Sequence, residues 1–439
     1  MMAALLCASL ATRAAAVVPA RVDAALLLDG AEAAQGLRTL LREVGKRAPA
    51  LSDEQSSAWL ARTVGVDLLA GGADWGIAPA GPRALLVTAG AIGLTAPVQD
   101  GGVARKQLLA WLRAAGTPRS IKPRGALAAG GGKSQRAAVL AKVGGATRLL
   151  TASGVESASL VAALAQVGAA TGATRPVGQD AVFVPLLAAS TGRAALLVRM
   201  SDPLRGAVLD LEGSPSGLVA RGLVAANAPL FAGRAPDASA CGEAAILCLR
   251  AGLDASGRTL VALAGRFYAG SVLRGADAST LASAAALASS SADRVAVRVD
   301  GLDARLLSDA SQYLWALRFQ AAVAGTGVGS APPLDFQGPR SLCTRTAGDV
   351  AHLATPCAPA PNDLPTGDGP PLQAQLDTAA LDAALARLSP LDALRGPAAA
   401  TAIALRLMVG GLLRRSGPIT ATGEPDRVGA RVELRWPLR

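Results

Sequence analysis

The side chains that most often carry out chemistry in proteins are scarce in this sequence. Its 439 residues contain one histidine, His352, and five cysteines with no Cys-x-x-Cys pair among them. His352 could act as a general base, but it would need a nucleophile and an orienting partner that the sequence does not identify. A histidine in a surface loop is the simpler interpretation. We therefore predict that the protein is not an enzyme and holds no metal or cofactor, with a hydrolase that uses two of the scattered carboxylates as the alternative.

Two motif-like segments lack a residue that their chemistry needs. Residues 130–134 read Gly-Gly-Gly-Lys-Ser, as at the end of a phosphate-binding loop, but Leu127 occupies the position of that motif's first glycine. Residues 213–217 read Gly-Ser-Pro-Ser-Gly, with a proline where a nucleophile elbow places its serine, and no Ser-x-x-Lys sequence occurs. The sequence therefore does not support nucleotide binding or serine-based hydrolysis.

Four of the cysteines form two local groups, Cys241 with Cys248 and Cys343 with Cys357. Four cysteines allow three pairings, of which the two local ones are the simplest. Cys343 and Cys357 bracket a Pro-rich, loop-like stretch with little core of its own, where a crosslink would contribute up to about 3 kcal/mol. The spacing favours two disulfides, and four buried free thiols are the alternative.

The N-terminus has the layout of an export signal, in which a short apolar run is followed by small residues. Cleavage after Ala16 would leave a mature chain that starts at Val17. No Lys or Arg precedes the apolar run, so an ordinary Ala-rich helix is the alternative, and Leu6 before Cys7 argues against a lipoprotein anchor. Together with paired cysteines, this predicts a periplasmic or secreted protein. No later stretch reaches the roughly 20 apolar residues of a membrane helix.

Basic residues are concentrated in one part of the chain, whose net charge is +11. Positions 101–155 contain no acidic residue and ten bases: Arg105, Lys106, Arg113, Arg119, Lys122, Arg124, Lys133, Arg136, Lys142 and Arg148. Such a surface attracts anionic partners, which for an exported protein are anionic lipid or acidic polysaccharide. Nucleic acid is not expected, because Trp111 is the only aromatic residue there that could stack on a base. A solvated face without a partner is the alternative.

Hydrophobic periodicity predicts short strands joined by hairpins, with helices between them. Residues 22–28 read as a strand, 31–46 as a helix with leucines on one face, and 52–63 as a helix that opens with a capping box. Glycine-rich turns near residues 144, 213 and 256 join hairpin strands. The pattern favours an α+β fold with antiparallel sheets built from hairpins and helices packed on one face. A predicted strand is followed by Asp-Gly at Gly30 and again at Gly301. This repetition leaves open that the protein has two similar halves.

The chain is predicted to have five segments. They are an export signal at 1–16, a basic N-terminal α+β half at 17–175, a second α+β half at 176–325, a Pro-rich, cysteine-containing loop or linker at 326–371, and C-terminal helices with a closing hairpin at 372–439. The second half includes a predicted strand at 259–264 and a predicted helix at 308–323. The Pro-rich segment is longer than most loops within compact domains.

Residues 19–28, 64–69 and 81–87 resemble the layout of a group of exported proteins of high-GC bacteria, a family with a domain of unknown function. In that group an opening strand precedes a Gly-Val-Asp-Leu-Leu element and a Gly-Pro-led strand. The resemblance implies a non-enzymatic protein of the cell envelope and offers no catalytic residues to carry over. We therefore expect an exported, non-catalytic protein that binds an anionic or hydrophobic envelope ligand. A scaffolding subunit of an envelope protein complex is the alternative.

Overall fold

The chain is described by a computed structural model that covers two compact units. The described residues are 14–69, 71–167, 174–232, 235, 245–272, 291–302, 317–328, 335–337, 341–357, 370–387 and 397–439. Unit 1 comprises residues up to 201 and residues 205–225, and unit 2 comprises residues 202–204 and 226–439. The predicted boundary at residue 175 lies within unit 1, because strands between residues 194 and 226 belong to its sheet.

Among its described residues, unit 1 has ten strands and five α-helices. The strands are β1 (Ala24–Asp29), β2 (Pro82–Thr88), β3 (Ala91–Pro97), β4 (Arg119–Ile121), β5 (Ala126–Ala129), β6 (Arg136–Val143), β7 (Ala146–Ser153), β8 (Ala194–Arg199), β9 (Leu204–Ser214) and β10 (Gly217–Ala226). The helices are α1 (Gly30–Gly45), α2 (Asp53–Val64), α3 (Gly101–Arg113), α4 (Ser157–Gln166) and α5 (Phe183–Ala189).

The sheet of unit 1 has the strand order β4-β5-β6-β7-β3-β2-β1-β8-β9-β10. Successive residues of a strand point to opposite faces, and both faces are covered. Leu94 packs in one core cluster with Leu60 of α2 and Leu112 of α3. A Cβ on its neighbour Gly93 would lie 2.7 Å from Leu160 of α4. Helices α2 and α3 therefore cover one face, and α4 covers the other.

Two helices of unit 1 begin at side chains that cap their free backbone N–H groups. The Ser52 hydroxyl accepts a hydrogen bond from the Gln55 backbone N–H at 3.3 Å, as the capping box at the start of α2 predicts. The Asp100 carboxylate accepts from the N–H groups of Gly102 and Val103 at 2.9 and 3.0 Å. These caps fix where α2 and α3 begin above the sheet.

Among its described residues, unit 2 has nine strands and three α-helices. The strands are β11 (Leu247–Gly252), β12 (Arg294–Leu302), β13 (Leu317–Ala324), β14 (Asp335–Gln337), β15 (Ser341–Ala347), β16 (Val350–Thr355), β17 (Leu372–Leu376), β18 (Ile419–Asp426) and β19 (Gly429–Pro437). The helices are α6 (Ala255–Val272), α7 (Thr378–Ala386) and α8 (Pro397–Arg415).

Among the described residues, the strand order of unit 2 repeats that of unit 1 without a counterpart of β4. It runs β14-β15-β16-β13-β12-β11-β17-β18-β19, again antiparallel. In unit 1, β1 lies between β2 and β8, the third strand from the end. In unit 2, β11 lies in the same way between β12 and β17. A helix follows that first strand in both cases, α1 after β1 and α6 after β11. The counterpart of β1 is therefore β11, and the Asp-Gly pattern at Gly301 belongs to a different strand of the sheet.

The predicted α+β class with helices on one face is wrong. Strands dominate the structure, with about 41% strand against 33% helix, and they form large antiparallel sheets. Residues 317–324 are strand β13 where a helix is predicted, and 259–264 lie in helix α6 where a strand is predicted. Three strands, β14 to β16, occupy part of the predicted linker at 326–371. The local sequence pattern of these segments is weak, and tertiary contacts decide their conformation.

Candidate functional site

An apolar pocket of about 570 Å³ lies in unit 1 between helices α1 and α2 and the sheet. Its lining includes nine leucines, and the full set is Leu26, Leu37, Leu40, Leu41, Ala50, Gln55, Ser56, Trp59, Leu60, Arg62, Leu69, Leu85, Leu211 and Leu218. Leu26 and Leu85 are opposite each other on β1 and β2 and form part of its floor. We call this cavity the leucine pocket.

An ion-pair cluster fixes the two helices that form the wall of the pocket. Asp53, at the start of α2, accepts hydrogen bonds from the Nε atoms of Arg42 at 2.9 Å and Arg38 at 3.4 Å, both on α1. Burial raises the pKa of the Asp53 carboxyl, but these two arginines, through their hydrogen bonds and charges, lower it by more, so the pKa lies below its ordinary value. At the end of α1, a Cβ on Gly45 would lie 2.5 Å from the Ser52 Cβ, so glycine permits the close approach.

A second close approach brings helix α1 against the hairpin of β9 and β10. A Cβ on Gly36 would lie 2.9 Å from the Gly213 carbonyl oxygen, and one on Gly213 would lie 2.8 Å from the Gly36 carbonyl oxygen. Leu211 and Leu218 flank this contact on the hairpin and line the pocket. The two glycines therefore set the width of the pocket at its hairpin side.

The polar atoms of the pocket lie on helix α2. Gln55, Ser56 and Arg62 contribute them, and the Trp59 side chain between them is 44% exposed. The Arg62 Nε donates to the Ala58 carbonyl oxygen at 3.2 Å within the same helix. This arrangement pairs an apolar interior with a cationic, aromatic mouth, and it suits a molecule with an apolar chain and an anionic end.

Eight of the ten predicted basic residues are exposed in unit 1: Arg105, Lys106, Arg113, Arg119, Lys122, Arg124, Lys133 and Lys142. The first three lie on α3, the next three on β4 and the turn after it, Lys133 in a short turn before β6, and Lys142 near the end of β6. None of the eight forms an ion pair with a carboxylate in the described part of the chain. We call these eight side chains the basic surface.

Of the other two basic residues, Arg148 is buried and Arg136 is half-buried against helix α3. Arg148 is 2% exposed, and it donates to the Thr95 hydroxyl at 2.8 Å and to the Pro82 carbonyl oxygen at 2.5 Å. Burial lowers the pKa of its guanidinium to about 10. Arg136 lies over the Trp111 ring at 4.9 Å and donates to the Trp111 and Arg62 carbonyl oxygens, and burial lowers its pKa as well. Both cations serve the fold by binding backbone carbonyl groups.

Four of the five cysteines and the histidine belong to the residue range of unit 2. Cys343 and Cys357 form a disulfide with their Cα atoms 5.2 Å apart. Cys248 on β11 is also disulfide-bonded, while its predicted partner Cys241 lies outside the described residues, as does the predicted export signal up to residue 13. His352 lies on strand β16 and is buried, so its predicted place in a surface loop is wrong.

Sequence reasoning assigned the leucines of α1 to a helix face but did not identify a pocket. The helical spacing of Leu37, Leu40 and Leu41 is the same for a packed face as for a cavity wall. No helix in the described part of the chain combines the length and hydropathy needed to cross a membrane. Comparisons with protein-family models, curated proteins and solved structures find no match for this chain.

Proposed function

We propose that the protein is an exported, non-catalytic binding protein whose unit 1 takes up a single-chain anionic amphiphile, such as a fatty acid. The leucine pocket carries this proposal. Its volume of about 570 Å³ falls within the roughly 300–1,000 Å³ of small-molecule sites. Each buried methylene group of a ligand contributes about 0.8 kcal/mol, so an alkyl chain is the occupant that gains most from a leucine lining.

The charges of unit 1 support an anionic end on the ligand. Arg62 lines the pocket, and the exposed cations of the basic surface add a positive potential that draws anions toward unit 1. A fatty acid has this combination of apolar chain and negative head.

The disulfides support the location. The bond between Cys343 and Cys357 and the bonded state of Cys248 are typical of proteins that fold in an oxidising compartment. A periplasmic or secreted protein meets lipids and acidic glycans of the cell envelope, so the proposed ligand and the proposed location agree.

The test is a binding titration with dodecanoic acid, measured by calorimetry, with dodecanol as the uncharged counterpart. We expect the acid to bind more tightly than the alcohol, with Arg62→Gln reducing this preference. Leu211→Trp should fill the pocket and abolish binding, whereas Leu434→Trp, at a partly exposed leucine of unit 2, should leave it intact. If neither ligand binds the wild type, the proposal is wrong and a scaffolding role becomes the better one.

A further inference from the structure

One face of the unit 2 sheet carries polar side chains in register across several strands. Arg250 on β11 is opposite Ala296 on β12, Ala296 is opposite Ala322 on β13, and Ala322 is opposite His352 on β16. Directly opposed residues of paired strands point to the same face. Arg250 and His352 therefore stand on one face, three strand spacings or about 14 Å apart, with two alanines between them.

The neighbouring positions of this face are also polar. Two residues after Ala296, Arg298 on β12 is opposite Gln320 on β13. Gln373 on β17 is opposite Arg250 and accepts a hydrogen bond from the Arg250 Nη2 atom. We call the set Arg250, Gln373, Arg298, Gln320 and His352 the polar sheet face. Arg298 is paired with Asp300, and the polar sheet face therefore has more hydrogen-bond donors than carboxylates.

The corresponding face of unit 1, the one turned away from α1, is mostly apolar and includes one internal cation, Arg148, which donates a hydrogen bond to Thr95 on the same face. It carries Leu27, Leu86 and Leu150, each at most 1% exposed. Arg148 lies on β7, the strand equivalent to β16, and its guanidinium is satisfied by Thr95 and the Pro82 carbonyl oxygen, whereas His352 on β16 is not satisfied in this way. Burying polar side chains costs free energy unless they find partners, which favours a function for them.

His352 is the side chain that points to a ligand. It is 6% exposed, and its Nε2 atom has no hydrogen-bond partner in the part of the chain that the structure describes. A buried polar atom without a partner costs about 1–3 kcal/mol. On one side of His352 lies Ala322 of β13, and on the other lies the exposed Arg345 of β15, which is directly opposite His352. A molecule bound beside Ala322 would supply the missing partner. Arg250 is also nine-tenths buried, on the far side of the alanines.

We propose that the polar sheet face is a binding site for an acidic sugar, such as a uronic acid unit of an envelope polysaccharide. A guanidinium binds a planar carboxylate through paired hydrogen bonds, and this role is assigned to the two Nη atoms of Arg298, whose Nε is paired with Asp300. The carboxamides of Gln320 and Gln373 and the imidazole of His352 donate and accept, as sugar hydroxyl groups require. The site lies within unit 2 and does not depend on the leucine pocket.

The test uses His352 as its own reporter, because the only histidine of the chain has unique imidazole NMR signals. Trigalacturonic acid should shift the ¹⁵Nε2 resonance at a concentration where the neutral maltotriose does not. Equal shifts with both sugars, or shifts with inorganic phosphate or sulfate alone, would overturn the assignment to an acidic sugar.

Matched variants keep the test independent of folding. Ala322→Leu fills the floor between the polar side chains and should weaken trigalacturonic acid binding at least tenfold. Ala321→Leu makes the same change on the opposite face of the same strand and should bind as the wild type does. Circular dichroism checks that both variants fold. If both variants bind equally well, the polar sheet face is not the site. If Ala322→Leu does not fold, Gln320→Ala takes its place and should weaken binding; unchanged binding would count against the proposal.

Discussion

Gly36 of helix α1 and Gly213 of strand β9 meet backbone to backbone. A Cβ added to either would lie within 2.9 Å of the other's carbonyl oxygen. A glycine inside a helix costs about 1 kcal/mol relative to alanine, so its presence at position 36 reflects this contact. Helix α1 lies where it does because both positions lack a side chain.

The first prediction is that Gly213→Ala moves α1 outward and disrupts the leucine pocket. We expect the free energy of unfolding to fall by about 1–3 kcal/mol, as for other overpacked sites, and the affinity for dodecanoic acid to fall with it. Urea denaturation and calorimetry measure the two effects. Gly131→Ala is the control, since a Cβ there meets no atom within 4 Å. Equal behaviour of the two variants would contradict the prediction.

The second prediction concerns the buried cation of β7. Arg148→Ala leaves the Thr95 hydroxyl and the Pro82 carbonyl oxygen without their donor and opens a cavity, so we expect a loss of about 3 kcal/mol in the free energy of unfolding. Lys142→Ala, at an exposed position of the adjacent strand, should change it by less than about 0.5 kcal/mol. Similar urea midpoints for the two variants would show that Arg148 is not structural.

The third prediction is a pH dependence caused by His352. Burial lowers the pKa of its imidazole below the ordinary value of 6.5, so the unfolded chain binds a proton more readily than the folded one. The contribution to stability is complete above pH 6.5 and is lost as the pH falls from 6.5 through the lowered pKa. His352→Gln should therefore flatten the stability profile between pH 7 and 5. Parallel profiles of wild type and variant would refute this.

The fourth prediction concerns the disulfide between Cys343 and Cys357, which are 14 residues apart. Replacing both cysteines by serine should lower the free energy of unfolding by about 3 kcal/mol, because the crosslink restricts the unfolded loop. Thermal denaturation of the oxidised wild type and of the double variant measures the loss. An unchanged melting temperature would mean that strand pairing alone holds β15 and β16 together.

The fifth prediction concerns helix α3 of the basic surface. The triple change Arg105→Gln, Lys106→Gln and Arg113→Gln should slow the association of the protein with anionic vesicles and weaken its dependence on salt, because these side chains are exposed and unpaired. Stopped-flow measurements at 50 and 300 mM salt, with neutral vesicles as the control, test this. Identical association rates would leave the surface as a solvated face.

Local signals predicted much of unit 1. The capping box at Ser52, the glycine turn at Gly144 and the leucine stripe of α1 each depend on residues close in sequence, and the structure has the elements that they indicate. The predicted strand at 22–28 corresponds to β1, Ala24–Asp29. Such signals do not say which strands pair, and this is why the order of the sheets could not be derived.

Both candidate sites depend on contacts between distant residues. The leucine pocket joins Leu26 to Leu211, and the polar sheet face joins Arg250 to His352 through strands that are not adjacent in sequence. Ten clustered cations read as one basic region, yet Arg136 and Arg148 turn inward because strand alternation, not composition, decides their direction. Sequence alone could suggest the ligand classes but not where they bind.

The repeated strand order gives the chain an internal reference. Since the described strands of the two units follow the same order, apart from the additional β4 of unit 1, side chains on equivalent strands are where a difference in ligand preference is expected to arise. Exchanging a row of residues between equivalent strands would then transfer a binding property without altering the scaffold. A single polypeptide thus offers two parallel experiments on how one arrangement of strands acquires different chemistry.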